Sequence, residues 1–161
     1  MSRNIRIVPD YQKLLSVPSQ TAHDYFDILI LPGGAPGAKA FCENDAVLEL
    51  INNFRKAGKW IAAICAATTA LVAAEKFAEE KKESDGGGVG KKRVTSHPSV
   101  KEEVVQAGWQ YSEDRVVVDG NVITSRGPGT AMLFALTVVE RLCGKEKRDE
   151  VAGPMVVAEA L

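Results

Sequence analysis

Histidine, cysteine and aromatic side chains are scarce in this chain, and each scarcity excludes a class of function. With only two histidines, His23 and His97, there is no material for a histidine-rich metal site. The three cysteines, Cys42, Cys65 and Cys143, are odd in number and lack CxxC spacing, which argues against a disulfide framework or a structural zinc. Aromatics make up 6% of the residues, and Trp60 and Trp109 read as packing residues rather than a stacking platform. Neither charge sign dominates: 20 basic residues face 21 acidic ones, for a net charge of -1, so nothing points to nucleic acid or another polyanion. No apolar run approaches the ~20 residues that span a bilayer. Residues 1–6 have no hydrophobic signal core behind them. The expectation is a soluble protein with no membrane or nucleic-acid partner, in the cytoplasm, with the nucleus also open.

What the chain does have is 161 residues with 45% hydrophobic content, enough for one compact domain with a full core. Its organising stretch runs from Lys59 to Leu71. The first half, Trp60-Ile61-Ala62-Ala63-Ile64, is a continuous apolar run of strand length. The second half is rich in alanine and leucine, as a helix would be. Cys65 stands between them. A sharp strand-to-helix turn presents its central residue at the carboxyl edge of a sheet, where open α/β sheets bind ligands. This is the pattern of a nucleophile elbow, in which backbone N–H groups converge on the exposed side chain and the helix dipole favours negative charge there. The competing reading is a buried Cys65 acting as a small hydrophobe.

In chain order, Ile5 to Val8 alternates in character as a short edge strand would, stopped by Pro9. Residues 11–24 read as a connection with at most one helical turn. Asp27 to Leu31 is a second apolar strand without alternation, as expected where both sheet faces are covered. It runs into Pro32-Gly33-Gly34, where a glycine pair allows positive φ and close backbone approach. The Gly33 and Gly34 amides are candidate oxyanion donors, against the plainer reading of a tight turn. Residues 45–57 predict a helix capped by Asn44 and closed by Gly58. A helix is expected over residues 66–82, and residues 81–92 form a glycine-rich, charged insertion. That insertion lacks the GxxxxGK[ST] pattern of a phosphate loop. Arg93 to Ser96 predicts a strand before His97-Pro98, and residues 100–107 a short helix. Strands are expected at 110–112, 116–119 and 122–125, with an Asp119-Gly120 hairpin signal, and a long helix over 131–143. Val156-Val157 is read as a last contact or edge strand. Strands alternating with helices give an α/β fold, a mostly parallel sheet with helices on both faces.

Four motifs now stand in one order: Leu31-Pro32-Gly33-Gly34, Ala63-Ile64-Cys65-Ala66, Thr95-Ser96-His97-Pro98, and Thr124-Ser125-Arg126-Gly127-Pro128-Gly129-Thr130. Together they resemble the PfpI superfamily, and within it the deglycase branch associated with Parkinsonism. The resemblance implies a single domain with a flavodoxin-like three-layer sandwich, usually homodimeric. It implies that Cys65 is the reactive cysteine, that Gly34 and Ala66 supply oxyanion amides, that His97 lies near the cysteine, and that Arg3 lies by the pocket near a dimer interface. It further implies cofactor-free glyoxalase and deglycase activity and protection against oxidative stress. Two departures stand out. The family's first strand and helix, with a glutamate that bonds the cysteine, have no match here, so the chain reads as N-terminally truncated relative to the family. The elbow also continues Ala66-Ala67, where relatives often carry glycine.

The implied chemistry turns methylglyoxal or glyoxal plus water into a 2-hydroxy acid through Cys65. Two other uses stay open on the sequence. Cys65 is also suited to redox sensing or chaperone-like behaviour through its oxidation to a sulfinic acid. A Cys–His peptidase or amidase is the third reading. Arg126 and the Gly127-Pro128-Gly129 loop are read as shaping a turn and a helix start.

Overall fold

In the computed structural model, which describes residues 7–11, 21–81 and 91–158, the two unalternating apolar runs become adjacent parallel strands of one sheet. The strands are β1 (Ile28–Leu31), β2 (Trp60–Ile64), β3 (Arg93–Val94), β4 (Gln110–Tyr111), β5 (Val116–Asp119) and β6 (Val122–Ser125). The helices are α1 (Ala22–Tyr25), α2 (Ala35–Cys42), α3 (Asp45–Lys56), α4 (Thr68–Glu80), α5 (Lys101–Gln106), α6 (Ala131–Cys143) and α7 (Lys145–Ala152). Four strands pair in the order β1-β2-β6-β5. β1, β2 and β6 run parallel, and β5 returns antiparallel on β6 through a two-residue turn at Gly120-Asn121. β3 and β4 form a separate parallel pair.

Both faces of the four-stranded sheet are covered. Leu31, Ile61, Ala63 and Val122 join Leu48, Ile51, Phe54, Ala70 and Leu71 of α3 and α4 in one core. Ala62 and Ile123, pointing the other way, pack with Phe134 and Val138 of α6. This is the flavodoxin-like arrangement, with helices on either side of a mostly parallel sheet. Ile61 and Ile123 are wholly buried, each contributing about 1.5–3 kcal/mol. Among the described residues, no helix is long and apolar enough to cross a membrane.

Local chemistry sets the helix ends. The Asn44 side chain accepts the Val47 N–H at 3.3 Å and opens α3. Gly58, with φ +67, turns the chain out of α3 toward β2. α6 ends at Gly144, φ +88. Several expectations need correction. The segment after Gly34 is not only a tight turn but opens helix α2, with a proline in its first turn and Cys42 at its end. β3 stops at Val94, because the Thr95 amide leaves the ladder for a hydroxyl. Val156 is in the left-handed region (φ +50) and belongs to no strand; the tail before it carries α7. Ile7 and Val8 are not in a strand, and the rest of that expected strand, like residues 82–90 of the glycine-rich insertion, lies outside the described residues.

α3 and α4 are also joined by charge. Arg55 Nη1 donates to Glu75 Oε2 at 2.8 Å, with the two side chains 3% and 13% exposed. The guanidinium stacks 5.4 Å from the Trp109 ring centroid. Its Nε and Nη2 have no partner among the described residues, and burial pulls the Arg55 pKa down against the pull of Glu75. Removing one member of such a pair leaves an uncompensated buried charge. Arg55→Ala is therefore expected to cost about 3–5 kcal/mol in urea unfolding. The double change Arg55→Met, Glu75→Leu should recover most of that loss; a single alanine change costing under about 1 kcal/mol would show that the pair is solvated.

Candidate active site

Ile64 is the last extended residue of β2, and Cys65 then takes φ +66. For a residue with a Cβ, the left-handed region costs about 1–2 kcal/mol. The reversal sends the chain into a 3₁₀ turn over Cys65–Ala67 and directly into α4. Cys65 is half-buried at the carboxyl end of the central strand. The first N–H groups of a helix have no intrahelical acceptor, so the elbow amides are available to an anion. Ala67, at the position of the family's usual glycine, has φ −64 and ψ −14, an ordinary helical conformation that alanine takes without strain.

The carbonyls of the elbow are held. The His97 N–H donates to the Cys65 oxygen at 3.2 Å. The Thr69 hydroxyl donates to the Ala66 oxygen at 2.9 Å, and Cys42 Sγ lies 3.4 Å from that hydroxyl. Burial pushes the Cys42 thiol up, opposed by its bond to Thr69. Cys42 therefore packs against the elbow as a neutral thiol.

The Pro32-Gly33-Gly34 turn lies against the cysteine. A Cβ on Gly33 would come within 2.8 Å of Cys65 Cβ, 3.1 Å of the Ile64 oxygen and 3.6 Å of Cys65 Sγ. Only glycine allows that approach. Gly34 has φ +108 and opens α2, its carbonyl accepting the Ala38 N–H.

His97 lies three residues after the short strand β3, which makes no ladder with the four-stranded sheet. Its main chain is fixed by side chains and by the elbow. The Thr95 N–H donates to Thr124 Oγ1 at 2.9 Å, and Thr68 Oγ1 donates to the Thr95 oxygen at 3.0 Å. Tyr111 Oη donates to the Ser96 oxygen at 3.0 Å. The His97 ring is oriented by Ser99, whose N–H donates to Nδ1 at 3.2 Å. The Ser99 hydroxyl lies 2.8 Å from the same ring nitrogen. A Cβ on Gly127 would stand 3.5 Å from His97 Cδ2. The loop around Gly127 is tied by Thr130 Oγ1, which accepts the Gly127 N–H at 3.0 Å and lies 2.6 Å from Ser125 Oγ. Arg126 pairs with Glu113 at 2.7 Å, and Lys101 pairs with the same carboxylate.

The fold thus brings Gly33, Cys65 and His97 together, with Gly34 and Ala66 next to them in the chain. Arg3 lies outside the described residues. A cavity of about 70 Å³ between α4 and Trp109 contains none of these residues. Among the described residues, no group of three or more His, Cys, Asp or Glu side chains is placed to hold a metal ion. Sequence reasoning missed Thr68, Thr95 and Thr124. The available signal was a Thr-Thr pair in the first turn of an otherwise Ala/Leu helix, where hydroxyls need partners.

A strained cysteine at the carboxyl edge of a flavodoxin-like sheet, faced by a Gly-Gly turn, defines a class of α/β proteins with a nucleophile elbow. The profile of the DJ-1/PfpI family matches residues 1–141, and the chain belongs to that family. It is 42% identical over 158 residues to protein dj-1beta of Drosophila melanogaster, covering 98% of this chain and 75% of that protein. The crystal structure of Drosophila DJ-1beta superposes with a TM-score of 0.80 over 98% of this chain and 75% of that one. The chain is 39% identical over 158 residues to the glutathione-independent glyoxalase DJR-1.2 of Caenorhabditis elegans, covering 98% and 75% of the two. It is 35% identical over 155 residues to the glutathione-independent glyoxalase DJ-1 of Schizosaccharomyces pombe, covering 94% and 73%.

Two outcomes follow from the geometry. Because the left-handed φ at position 65 favours glycine, Cys65→Gly should exceed Cys65→Ala in unfolding free energy by about 1 kcal/mol; equal stabilities would mean an unstrained elbow. Gly33→Ala should destabilise by about 1–3 kcal/mol, since the added methyl meets Cys65 Cβ. It should also slow alkylation of Cys65, and an alanine chain with native stability and labelling rate would show that the turn stands clear of the cysteine.

Proposed function

We propose that this protein is a glutathione-independent glyoxalase that converts methylglyoxal or glyoxal to a 2-hydroxy acid, with Cys65 as nucleophile. The observation that carries the reading is Cys65 at φ +66 at the end of β2, with the Gly33 turn packed directly on it. Two relatives bearing the name glutathione-independent glyoxalase support it.

In the proposed sequence the Cys65 sulfur adds to the aldehyde carbon of methylglyoxal, forming a C–S bond and an oxyanion. Amides of the Gly33-Gly34 turn and of Ala66 receive that oxyanion, which becomes the hydroxyl of a hemithioacetal on protonation. The aldehyde C–H proton is then removed and a proton is delivered to the former ketone carbon. The first carbon is thereby oxidised to a thioester while the second is reduced to an alcohol. Water cleaves the thioester, releasing lactate and restoring the thiol. The net reaction consumes one water and needs no external oxidant or reductant. His97, whose main chain is bonded to Cys65, is assigned to the proton movement.

The same electrophile chemistry extends to adducts of methylglyoxal on proteins, and we assign a deglycase role and protection against carbonyl and oxidative stress on that basis. Homodimeric assembly, with Arg3 near the shared pocket, rests on the family resemblance. The decisive experiment is methylglyoxal turnover without glutathione, read as 2-hydroxy acid formed. Cys65→Ser should reduce it at least about 100-fold, and acid production retained by the folded serine chain would remove Cys65 from the reaction.

A further inference from the structure

A peptide group is planar, and its carbonyl and N–H point in opposite directions when it is trans. The Cys65 carbonyl and the Ala66 N–H belong to one such plane. Whatever fixes the carbonyl therefore aims the N–H. The His97 N–H holds that carbonyl at 3.2 Å, so the amide assigned to the oxyanion is oriented from behind by a residue of the segment after β3. The bond also polarises the peptide, strengthening its N–H as a donor.

The His97 amide must itself be held still to do this, and β3 has no ladder to the main sheet that would hold it. Tyr111 Oη holds the far side of the same peptide, donating to the Ser96 oxygen at 3.0 Å, and two buried threonines fix the residue before it. Thr124 Oγ1, on β6, accepts the Thr95 N–H at 2.9 Å. Thr68 Oγ1, in the first turn of α4, donates to the Thr95 oxygen at 3.0 Å. Thr68, Thr95 and Thr124 are all wholly buried. β6 lies directly beside β2, with Ala63 paired to Thr124 and Ile64 to Ser125. α4 begins at the elbow itself. One anchor thus belongs to the helix that leaves Cys65 and the other to the strand beside β2, and the loop runs from elbow to threonine, to Thr95, to His97 and back to the elbow.

We infer that Thr68 and Thr124 are positioning residues that aim the Ala66 amide at the oxyanion by pinning Thr95 and, through it, the His97 N–H on the Cys65 carbonyl. This rests on the glyoxalase reading for its kinetic consequence, but its geometric content is independent of turnover. Neither threonine touches substrate. Their replacement should weaken stabilisation of the oxyanion while leaving substrate capture largely intact.

The test uses the full chain as Thr68→Val and Thr124→Val, with Thr68→Ser and Thr124→Ser as conservative partners that keep the hydroxyl. Amide hydrogen exchange at His97 should accelerate about tenfold or more in each valine chain, relative to β2 amides of the same protein. Turnover of methylglyoxal should fall about 10- to 100-fold in kcat with KM within about twofold. The serine chains should restore both. Unchanged His97 exchange in the folded valine chains overturns the inference, as does normal kcat when that exchange has risen. A wild-type protein without Cys65-dependent turnover would sink the glyoxalase reading alone, and the exchange measurement would still decide the positioning. If a valine chain does not fold, wild-type exchange decides: the His97 amide should be protected like the β2 amides, and exchange as fast as an exposed loop amide would refute the claim.

Discussion

The hydrogen bond from the His97 N–H to the Cys65 carbonyl is the contact on which the arrangement of the site depends. It closes a strained residue. Cys65 occupies a backbone region that costs a residue with a Cβ about 1–2 kcal/mol, and such strain persists only where the surroundings over-determine it. Here they do so on several sides. The Cys65 carbonyl is held by His97, the Ala66 carbonyl by Thr69, and the side chain is faced by the Gly33 turn. Relaxing any one of these would let the turn drift toward a conformation that no longer points its amides outward.

The core exists to hold that turn in place. β2 is buried on both faces, so its register is fixed by two independent sets of apolar contacts. A one-residue slip would exchange Ile61 and Ala63 with Ala62 between two cores of different shape. The small residues of β2 also let α3, α4 and α6 approach the sheet closely. Rigidity at the elbow is thus inherited from packing some distance away, with the first turn of α4 acting as the junction.

Much of this was legible in the sequence because it follows from burial. The unbroken apolar runs at 28–31 and 60–64 predict parallel strands, covered on both faces at β2 but leaving Ile30 of β1 exposed, and α6 begins and ends where the glycine/proline loop and Gly144 predict. α2 was illegible because Pro36 and Gly37 stand inside an eight-residue helix and mask its periodicity. α7 was illegible for the opposite reason: Lys145 to Glu150 is charged throughout and has no apolar stripe to read. Within the site, Cys65 and the glycine turn announce themselves by residue type. The anchoring of Thr95 does not. Its amide is satisfied by the side chain of Thr124, far along the chain, and no local pattern encodes that pairing.

The parallel pairing of β2 with β6 has a consequence for biosynthesis. Ile61 sits opposite Val122, and between them lie α4, β3, α5, β4 and β5. Contacts between segments so distant in sequence form late, because a long loop must close before they stabilise anything. A ribosome that has released only the first half of the chain therefore carries Cys65 without the His97 amide, without β6 beside it and without a set of oriented donors. The elbow and the contacts that orient it thus come together only in the completed topology.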